Sequence, residues 1–307
     1  VKRDFLSVLD FTTDEILESF EIARKMKANR REFADALKGQ ALALIFEKPS
    51  LRTRTTFDIG IQQLGGYSLY LSPAEISLGK RESIHDVAKN LERMVQGIMI
   101  RTFGHEIVLG MAKHAKVPII NGLTDYSHPC QAMADFLTIQ EVKGKFDGLK
   151  LTYVGDGNNV AHSLMDAGAR LGVNVTITCP KGYEPNLIAY QDAVEAAKKT
   201  GAKIEVEHDP IKAVKGADAV YTDVWASMGQ EAETEARKKI FMPYQVNENL
   251  MSHAKDDAMF MHCLPAHRGD EVTSGVIDAP NSVVFQEAEN RLHAQKAVMY
   301  KLMKEID

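Results

Sequence analysis

Apolar residues along the 307-residue chain follow two alternating rhythms. Short continuous runs at 41–46 ("ALALIF"), 67–71, 97–100 and 117–120 have the length of strands buried on both faces. Between them, at 51–64, 83–95 and 104–115, apolar positions recur every three or four residues, which predicts amphipathic helices. A leading helix over 13–29 turns Ile16, Phe20 and Ala23 inward, with Thr13 as its cap, and Pro129 opens another over 129–143. A second series repeats the rhythm: "KLTYVG", "NVTITC", "KIEVE", "DAVYTDVW" and "AMFMHCLP" read as strands, with helical spacing near 159–171, 186–200 and 210–216. "EAENRLHAQKAVMYKLMKEI" reads as one long terminal helix.

Strands alternating with helices imply an α/β chain with mainly parallel sheets flanked by helices. The Gly/Lys-rich break "KGKFDGLK" divides it into two tandem domains, 1–143 and 149–287, with the terminal helix at 288–307. The length suits two domains, and 45 % hydrophobic with 26 % charged residues is ordinary for globular cores. The net charge of −5 argues against a general nucleic-acid binder. No apolar run approaches the ~20 residues of a membrane span. The three cysteines, Cys130, Cys179 and Cys263, have no CxxC spacing and fit a reducing compartment. The N-terminal stretch lacks a signal-peptide apolar region, so a cytoplasmic location is the expectation, with an organellar form that has lost a transit segment as the alternative.

Ligands of open α/β sheets bind beyond the carboxyl ends of the strands. Those ends carry "EKPSLRTR", "IRT", "GLTDYSHPCQ", "VGDGNNV", "TDVWASMGQE" and "HCLPAHRG". In the first, Ser50 is placed to cap a helix whose first turn carries Arg52 and Arg54 and no acid. Positive charge there opposes the helix dipole. A bound anion would reverse that penalty, using the N–H groups of Leu51, Arg52 and Thr53 and the planar arginine donors. A solvated basic face is the competing reading, and Arg101, at the end of "GIMI", favours the pocket. His128 and Gln131 flank the helix start at Pro129, where His could donate to an oxyanion and Gln offers both donor and acceptor, or where both could be plain surface groups.

"VGDGNNVAH" looks like a dinucleotide fingerprint but has Val160 in place of the third glycine, and no acid ends the following strand. Asn159 could instead contact a small polar ligand. Asp223 and Ser227, with nearby backbone N–H groups, suit the ammonium and carboxylate of an amino acid, although Asp223 also fits a local cap. His262, Cys263 and His267 match no zinc spacing, and neither a metal nor a cofactor is expected.

Taken together, "FEKPSLRTRTTF", "HPCQ", "DVWASMGQE" and "HCLPAHRG", in this order along the whole chain, resemble the aspartate/ornithine carbamoyltransferase family. The Asp-x-x-x-Ser-Met-Gly loop is of the ornithine type. The resemblance implies transfer of a carbamoyl group from carbamoyl phosphate to the δ-amine of L-ornithine, giving citrulline and phosphate. By resemblance, Ser50, Leu51, Arg52, Thr53, Arg101, His128, Gln131 and Arg291 bind carbamoyl phosphate. Asn159 and Met228 take the ornithine carboxylate, and Asp223 and Ser227 its ammonium. Arg101, His128, Asp223, Cys263 and Leu264 form the catalytic set, with the Cys263 and Leu264 carbonyls on the carbamoyl NH2. The terminal helix packs back on the first domain, and domain closure aligns the substrates. Two departures stand out. Leu51 replaces the usual first Thr of the phosphate motif. Ser77, in "AEISLGKRES", stands where many ornithine enzymes have Gln or His; it is the implied ligand of a neighbouring subunit's phosphate, ahead of Lys80, in a homotrimer or a multiple of one. A different amine acceptor, or a homologue that only binds metabolites, is the alternative.

Overall fold

The structure, a computed structural model, describes residues 2–305 except Ser77, Lys80, Ser227, Met228 and Gln230. The chain forms two compact units, Val1–Ala134 with Glu289–Asp307, and Asp135–Ala288.

In the first unit, β1 (Ala41–Phe46), β2 (Tyr67–Leu71), β3 (Gly97–Arg101) and β4 (Ile119–Leu123) form a sheet in the order β2-β1-β3-β4, every pair parallel. Its helices are α1 (Thr13–Ala28), α2 (Leu51–Gln63), α3 (Pro73–Ile76), α4 (Ile84–Leu91) and α5 (His105–His114). In the second unit, β5 (Lys150–Val154), β6 (Asn174–Thr178), β7 (Ile204–Glu207), β8 (Ala219–Thr222) and β9 (Met259–His262) are again all parallel, in the order β7-β6-β5-β8-β9. Helices α6 (Pro129–Lys143), α7 (Asn159–Leu171), α8 (Leu187–Ala197), α9 (Pro210–Val214), α10 (Thr234–Phe241), α11 (Glu248–Met251), α12 (Ser274–Ile277) and α13 (Val284–Met303) complete the fold. The division between units falls inside α6 and α13.

These are the two tandem α/β domains that the alternating rhythm predicts. Parallel strands need crossover connections, and burial on both faces requires the continuous apolar runs seen in the central strands. β1 and β3 are buried throughout, whereas the outermost β2 is only half-buried. Ala41, Ala43, Ile45, Ile98, Ile100 and Ile119 of one sheet face pack with Val87, Ala88 and Leu91 of α4 and Val108 and Met111 of α5. α13 packs on the first unit at very short range. A Cβ on Gly60 of α2 would lie 2.9 Å from Met299 Cε, and one on Gly97 of β3 would lie 2.9 Å from Met303 Sδ.

Two local expectations shift. α1 is capped by Thr12 rather than Thr13: the Thr12 hydroxyl accepts from Glu15 N–H while the Glu15 carboxylate accepts from Thr12 N–H. This capping box selects the threonine three residues before the acid. The terminal helix runs from Val284 to Met303 rather than over 288–307.

Each strand order contains a switch point, where successive connections run to opposite sides and open a crevice at the strand ends. In the first unit it falls between β1 and β3, and in the second between β5 and β8. The β5–α7 turn in that second crevice is tight. Gly155 has φ +147°, and a Cβ on Gly157 would sit 2.3 Å from Pro185 N and 2.4 Å from Glu184 C. Gly157 N–H donates to Tyr183 O at 2.9 Å. The second glycine of the GxG therefore admits the chain's own backbone, where a dinucleotide motif admits a pyrophosphate.

Because backbone cannot step aside as a flexible side chain can, Gly157→Ala is expected to destabilise the protein by about 1–3 kcal/mol. Thermal unfolding should show Tm lowered by several degrees. An unchanged Tm would mean that residues 183–185 yield freely.

Candidate active site

At the β1–α2 junction Ser50 is the N-cap, extended at φ −163° and ψ 124°, and its hydroxyl accepts from Thr53 N–H at 3.1 Å. The first turn of α2 contains no acid. Leu51, the departure from the phosphate motif, is 76 % exposed. Its side chain is outside the core, so losing the threonine hydroxyl there leaves the packing and the backbone N–H untouched. Arg54 stacks on the Tyr70 ring, 3.9 Å from its centroid, and is thereby occupied away from the cap.

Thr53 is the hub of the first unit's site. Its buried hydroxyl oxygen accepts from Arg101 Nη1 at 3.3 Å and from Arg291 Nη2 at 3.2 Å. With two lone pairs engaged, a hydroxyl has its proton left to offer. Arg291 is fully buried and also donates to Gln131 Oε1 and, through Nε, to Gln295 Oε1 at 2.8 Å. Gln295 in turn donates to Thr56 Oγ1 at 2.8 Å, and Thr56 Oγ1 donates to Arg52 O at 2.6 Å. One run of neutral oxygens thus ties α13 to α2.

His128, just before Pro129 at the start of α6, is buried. Burial, followed by the positive charges of Arg291, Arg101, Arg52 and Lys48, pushes its pKa well below the ordinary histidine value. It stands as a neutral imidazole amid four cations. Lys48 is itself buried, ion-paired with Asp125 and 4.2 Å from the Phe103 ring centroid. The sequence reading assigned Lys48 no role, because nothing in "FEKPS" distinguishes a buried lysine from a solvated one. Cys130 is buried, and burial raises its thiol to about 12, as suits a packing residue.

The second unit brings together Asp223, after β8, and Cys263, after β9. Asp223 Oδ1 accepts from Val224 N–H at 2.8 Å and from Cys263 Sγ at 3.0 Å, and Oδ2 accepts from Asn158 Nδ2 at 3.0 Å. Burial first, then the nearby Asp223 charge, pushes the Cys263 pKa well above the ordinary thiol value. Cys263 is therefore a protonated donor to Asp223. Asn159 is the first residue of α7, half-buried. Ser227 and Met228 of the Asp-x-x-x-Ser-Met-Gly loop, and Ser77 and Lys80, lie outside the described residues.

Leu264 has φ +57°, an uncommon conformation for a residue with a side chain. Its N–H is held by His262 Nδ1 at 2.8 Å, which leaves the imidazole proton on Nε2, 3.2 Å from Glu271 Oε1. That carboxylate oxygen also accepts from His267 N–H. Asp223, His262 and Cys263 each present one metal-ligating atom within 4.8 Å of the others. Both His262 nitrogens are nonetheless engaged in clamping the 262–268 turn, and a metal would have to displace one of those bonds. The residues fit the clamp better than a metal. Below this turn, Glu287 accepts from Tyr221 OH at 3.1 Å and from His262 N–H at 3.0 Å, and burial, then the adjacent Asp135, raises its pKa well above the usual carboxyl range.

Two further residues escaped the sequence reading. Asn158, adjacent to the chosen Asn159, holds Asp223; its signal was a capping residue type directly before a helix. Arg237 of α10 is buried, ion-paired with Asp156, donates to Trp225 O, and lies 5.0 Å from the Tyr183 ring and 5.1 Å from the Phe241 ring. It fastens the segment after Asp223 to the β5–α7 turn. Nothing local marks it, since an arginine in "TEARKKIF" looks like any solvated helix residue.

Residues 3–141 match the family model of the aspartate/ornithine carbamoyltransferase carbamoyl-P binding domain, and residues 147–302 that of the Asp/Orn binding domain. Over 303 residues, 98 % of this chain, the ornithine carbamoyltransferase of Thermococcus kodakarensis is 57 % identical, with 96 % of that protein covered. The anabolic ornithine carbamoyltransferase of Pyrococcus furiosus is 54 % identical over the same share of both chains. A solved structure of ornithine carbamoyltransferase from Pyrococcus furiosus superposes with a TM-score of 0.97 at 53 % identity, covering 100 % of this chain and 99 % of that one. On this full-length agreement of sequence and fold, the chain belongs to the aspartate/ornithine carbamoyltransferase family.

Proposed function

We propose that this chain transfers the carbamoyl group of carbamoyl phosphate to the δ-amine of L-ornithine, releasing L-citrulline and phosphate. The observation that carries the reading is the Thr53 hydroxyl, gripped by Arg101 and Arg291 beside a neutral His128. This grouping suits a ligand with a phosphate at one end and a polarisable carbonyl next to it.

The phosphate sits at the N-terminus of α2, on Ser50, Arg52, Thr53 and the Leu51 N–H, where the helix dipole adds to the arginine charge. Arg101, the Thr53 O–H and an N–H of His128 converge on the carbonyl oxygen and stabilise the charge that develops there. A neutral imidazole donates without adding a further positive charge. Gln131, whose carbonyl oxygen accepts from Arg291, takes the carbamoyl NH2, and Arg291 orients it.

Ornithine belongs to the second unit. Asp223 and Ser227 take its α-ammonium; Asn159 and the Met228 N–H take its α-carboxylate. The δ-amine has a lysine-like pKa of ~10.4 and attacks as the free base. Its nitrogen bonds to the carbonyl carbon, the bond from that carbon to the phosphate oxygen breaks, and the amine proton ends on the departing phosphate. Cys263, held as a thiol, acts as a donor that steadies Asp223 and forms no covalent intermediate. The anabolic description of the Pyrococcus furiosus relative supports the same direction here, citrulline for arginine biosynthesis. A homotrimer or a multiple of one, with Ser77 reaching a neighbouring subunit's phosphate, accords with exposed Tyr67 and Leu69 on the outermost strand β2. No helix among the described residues is long and apolar enough to cross a membrane.

The reading is tested by incubating the protein with carbamoyl phosphate and, separately, ornithine, putrescine, acetylornithine or aspartate, and measuring the carbamoylated product. Citrulline should dominate; a faster reaction with another acceptor would reassign the substrate, and no product with any would leave a metabolite-binding protein.

His128→Asn should lower kcat by roughly 10²–10³-fold, the usual effect of removing one oxyanion donor. The same variant tests the charge state. A histidine whose folded pKa lies below its unfolded value of ~6.5 binds its proton more weakly in the folded state, so stability falls as pH drops below that value. Urea unfolding at pH 7.5 and 5 should show the wild type losing more stability on acidification than His128→Asn; equal losses would mean that His128 is not held neutral.

A further inference from the structure

We propose that Asn158 is a positioning residue for the amino-acid substrate, acting through Asp223, and that Tyr153 locks Asn158 in the required orientation. The inference rests on the reading of Asp223 as a ligand of the ornithine ammonium.

Asn158 is the N-cap of α7, and its Oδ1 accepts from Val160 N–H at 2.9 Å and Ala161 N–H at 3.2 Å. Backbone N–H groups only donate, so the atom facing them is the amide oxygen, and the helix itself decides which way the carboxamide points. Tyr153 OH, 3.3 Å from the same oxygen, donates to it. Tyr153 lies on β5, fully buried, with its ring stacked 6.0 Å from that of Tyr221, so its hydroxyl is delivered from a rigid strand. Once Oδ1 is committed in this way, Nδ2 has one direction left, and it meets Asp223 Oδ2 at 3.0 Å.

The consequence falls on Asp223. Val224 N–H and Cys263 hold its Oδ1, while Asn158 holds its Oδ2. The terminal torsion of an aspartate has a broad, two-fold profile. Oδ1 contacts leave the carboxylate able to turn about its axis; the Asn158 bond to the second oxygen stops it. The cap that starts α7 therefore also sets the plane in which Asp223 meets an ammonium group. Asn158 itself touches no reacting atom.

Capping and positioning separate experimentally because Asp and Ser cap helices about as well as Asn. Asn158→Asp keeps the cap and sets a second carboxylate against Asp223. Asn158→Ser keeps the cap and removes the contact. Tyr153→Phe leaves the cap residue in place and removes only its lock. Steady-state kinetics with ornithine and carbamoyl phosphate, alongside Tm, should show all three folded. KM for ornithine should rise at least tenfold in Asn158→Asp, and less in Asn158→Ser and Tyr153→Phe, with KM for carbamoyl phosphate changed less than twofold. If folded Asn158→Ser and Tyr153→Phe both keep the wild-type KM for ornithine, Asn158 is a cap alone and the proposal is overturned. If the wild type itself forms no citrulline, the acceptor assignment fails first and the proposal with it.

Discussion

Everything in the first unit's site depends on holding several positive charges in one buried place. Arg52, Arg101, Arg291 and Lys48 all act on His128, at the end of a helix whose dipole is already positive. Like charges in a poorly solvated pocket repel, and folding alone gives no reason to gather them. Neutral oxygens orient two of them, Arg101 and Arg291, while Lys48 is ion-paired with Asp125. The described contacts of Arg291 run to Thr53, Gln131 and Gln295, and Arg101 reaches Thr53. A neutral acceptor fixes the direction of a guanidinium and leaves its charge in place, whereas a carboxylate would fix it and cancel it. The close approach of α13 to α2, which Gly60 permits, keeps those oxygens in register.

The second unit solves the opposite problem. In the proposed reading its ligand brings positive charge, and Asp223 is the acid presented to it. Asp223 is held by an amide, a backbone N–H and a thiol, none of which carries charge. Full positive charge is placed elsewhere: Arg237 pairs with Asp156 in the neighbouring turn and braces Trp225. Glu287, whose pKa burial and the adjacent Asp135 raise, accepts hydrogen bonds from Tyr221 OH and His262 N–H at the ends of β8 and β9. In both units uncharged groups orient key charged side chains, Arg101 and Arg291 in the first and Asp223 in the second.

Strands were legible in the sequence because burial on both faces forces continuous apolar runs. Ser50, Arg101 and the start of α6 were legible because caps, strand ends and an initial proline leave local marks. Thr12 was missed for Thr13 because the capping box depends on an acid three residues onward, and Glu15 had to be counted from the right threonine. Lys48 and Arg237 were not legible, since what distinguishes them is burial against residues distant in the chain; Asn158 carried only a capping signal, and its contact with Asp223 lies sixty-five positions away. Arg237 meets Asp156 eighty-one positions away. Gly157 carried a signal that pointed elsewhere: GxG after a strand announces close backbone approach, and only the structure shows that the approaching backbone is residues 183–185.

The charge arrangement in the first unit has a further chemical effect. Burial lowers the His128 pKa most, and the cations proposed to attract a phosphate lower it further. A histidine brought to such a pocket by any route would arrive neutral. In the proposed mechanism neutrality suits a donor beside a carbonyl, whose N–H bond strengthens as negative charge grows on the oxygen, while the imidazolium form would repel the neighbouring arginines. In the proposed mechanism anion binding and carbonyl polarisation are therefore not independent devices. Both draw on Arg101 and Arg291, which the neutral oxygens of Thr53, Gln131 and Gln295 orient.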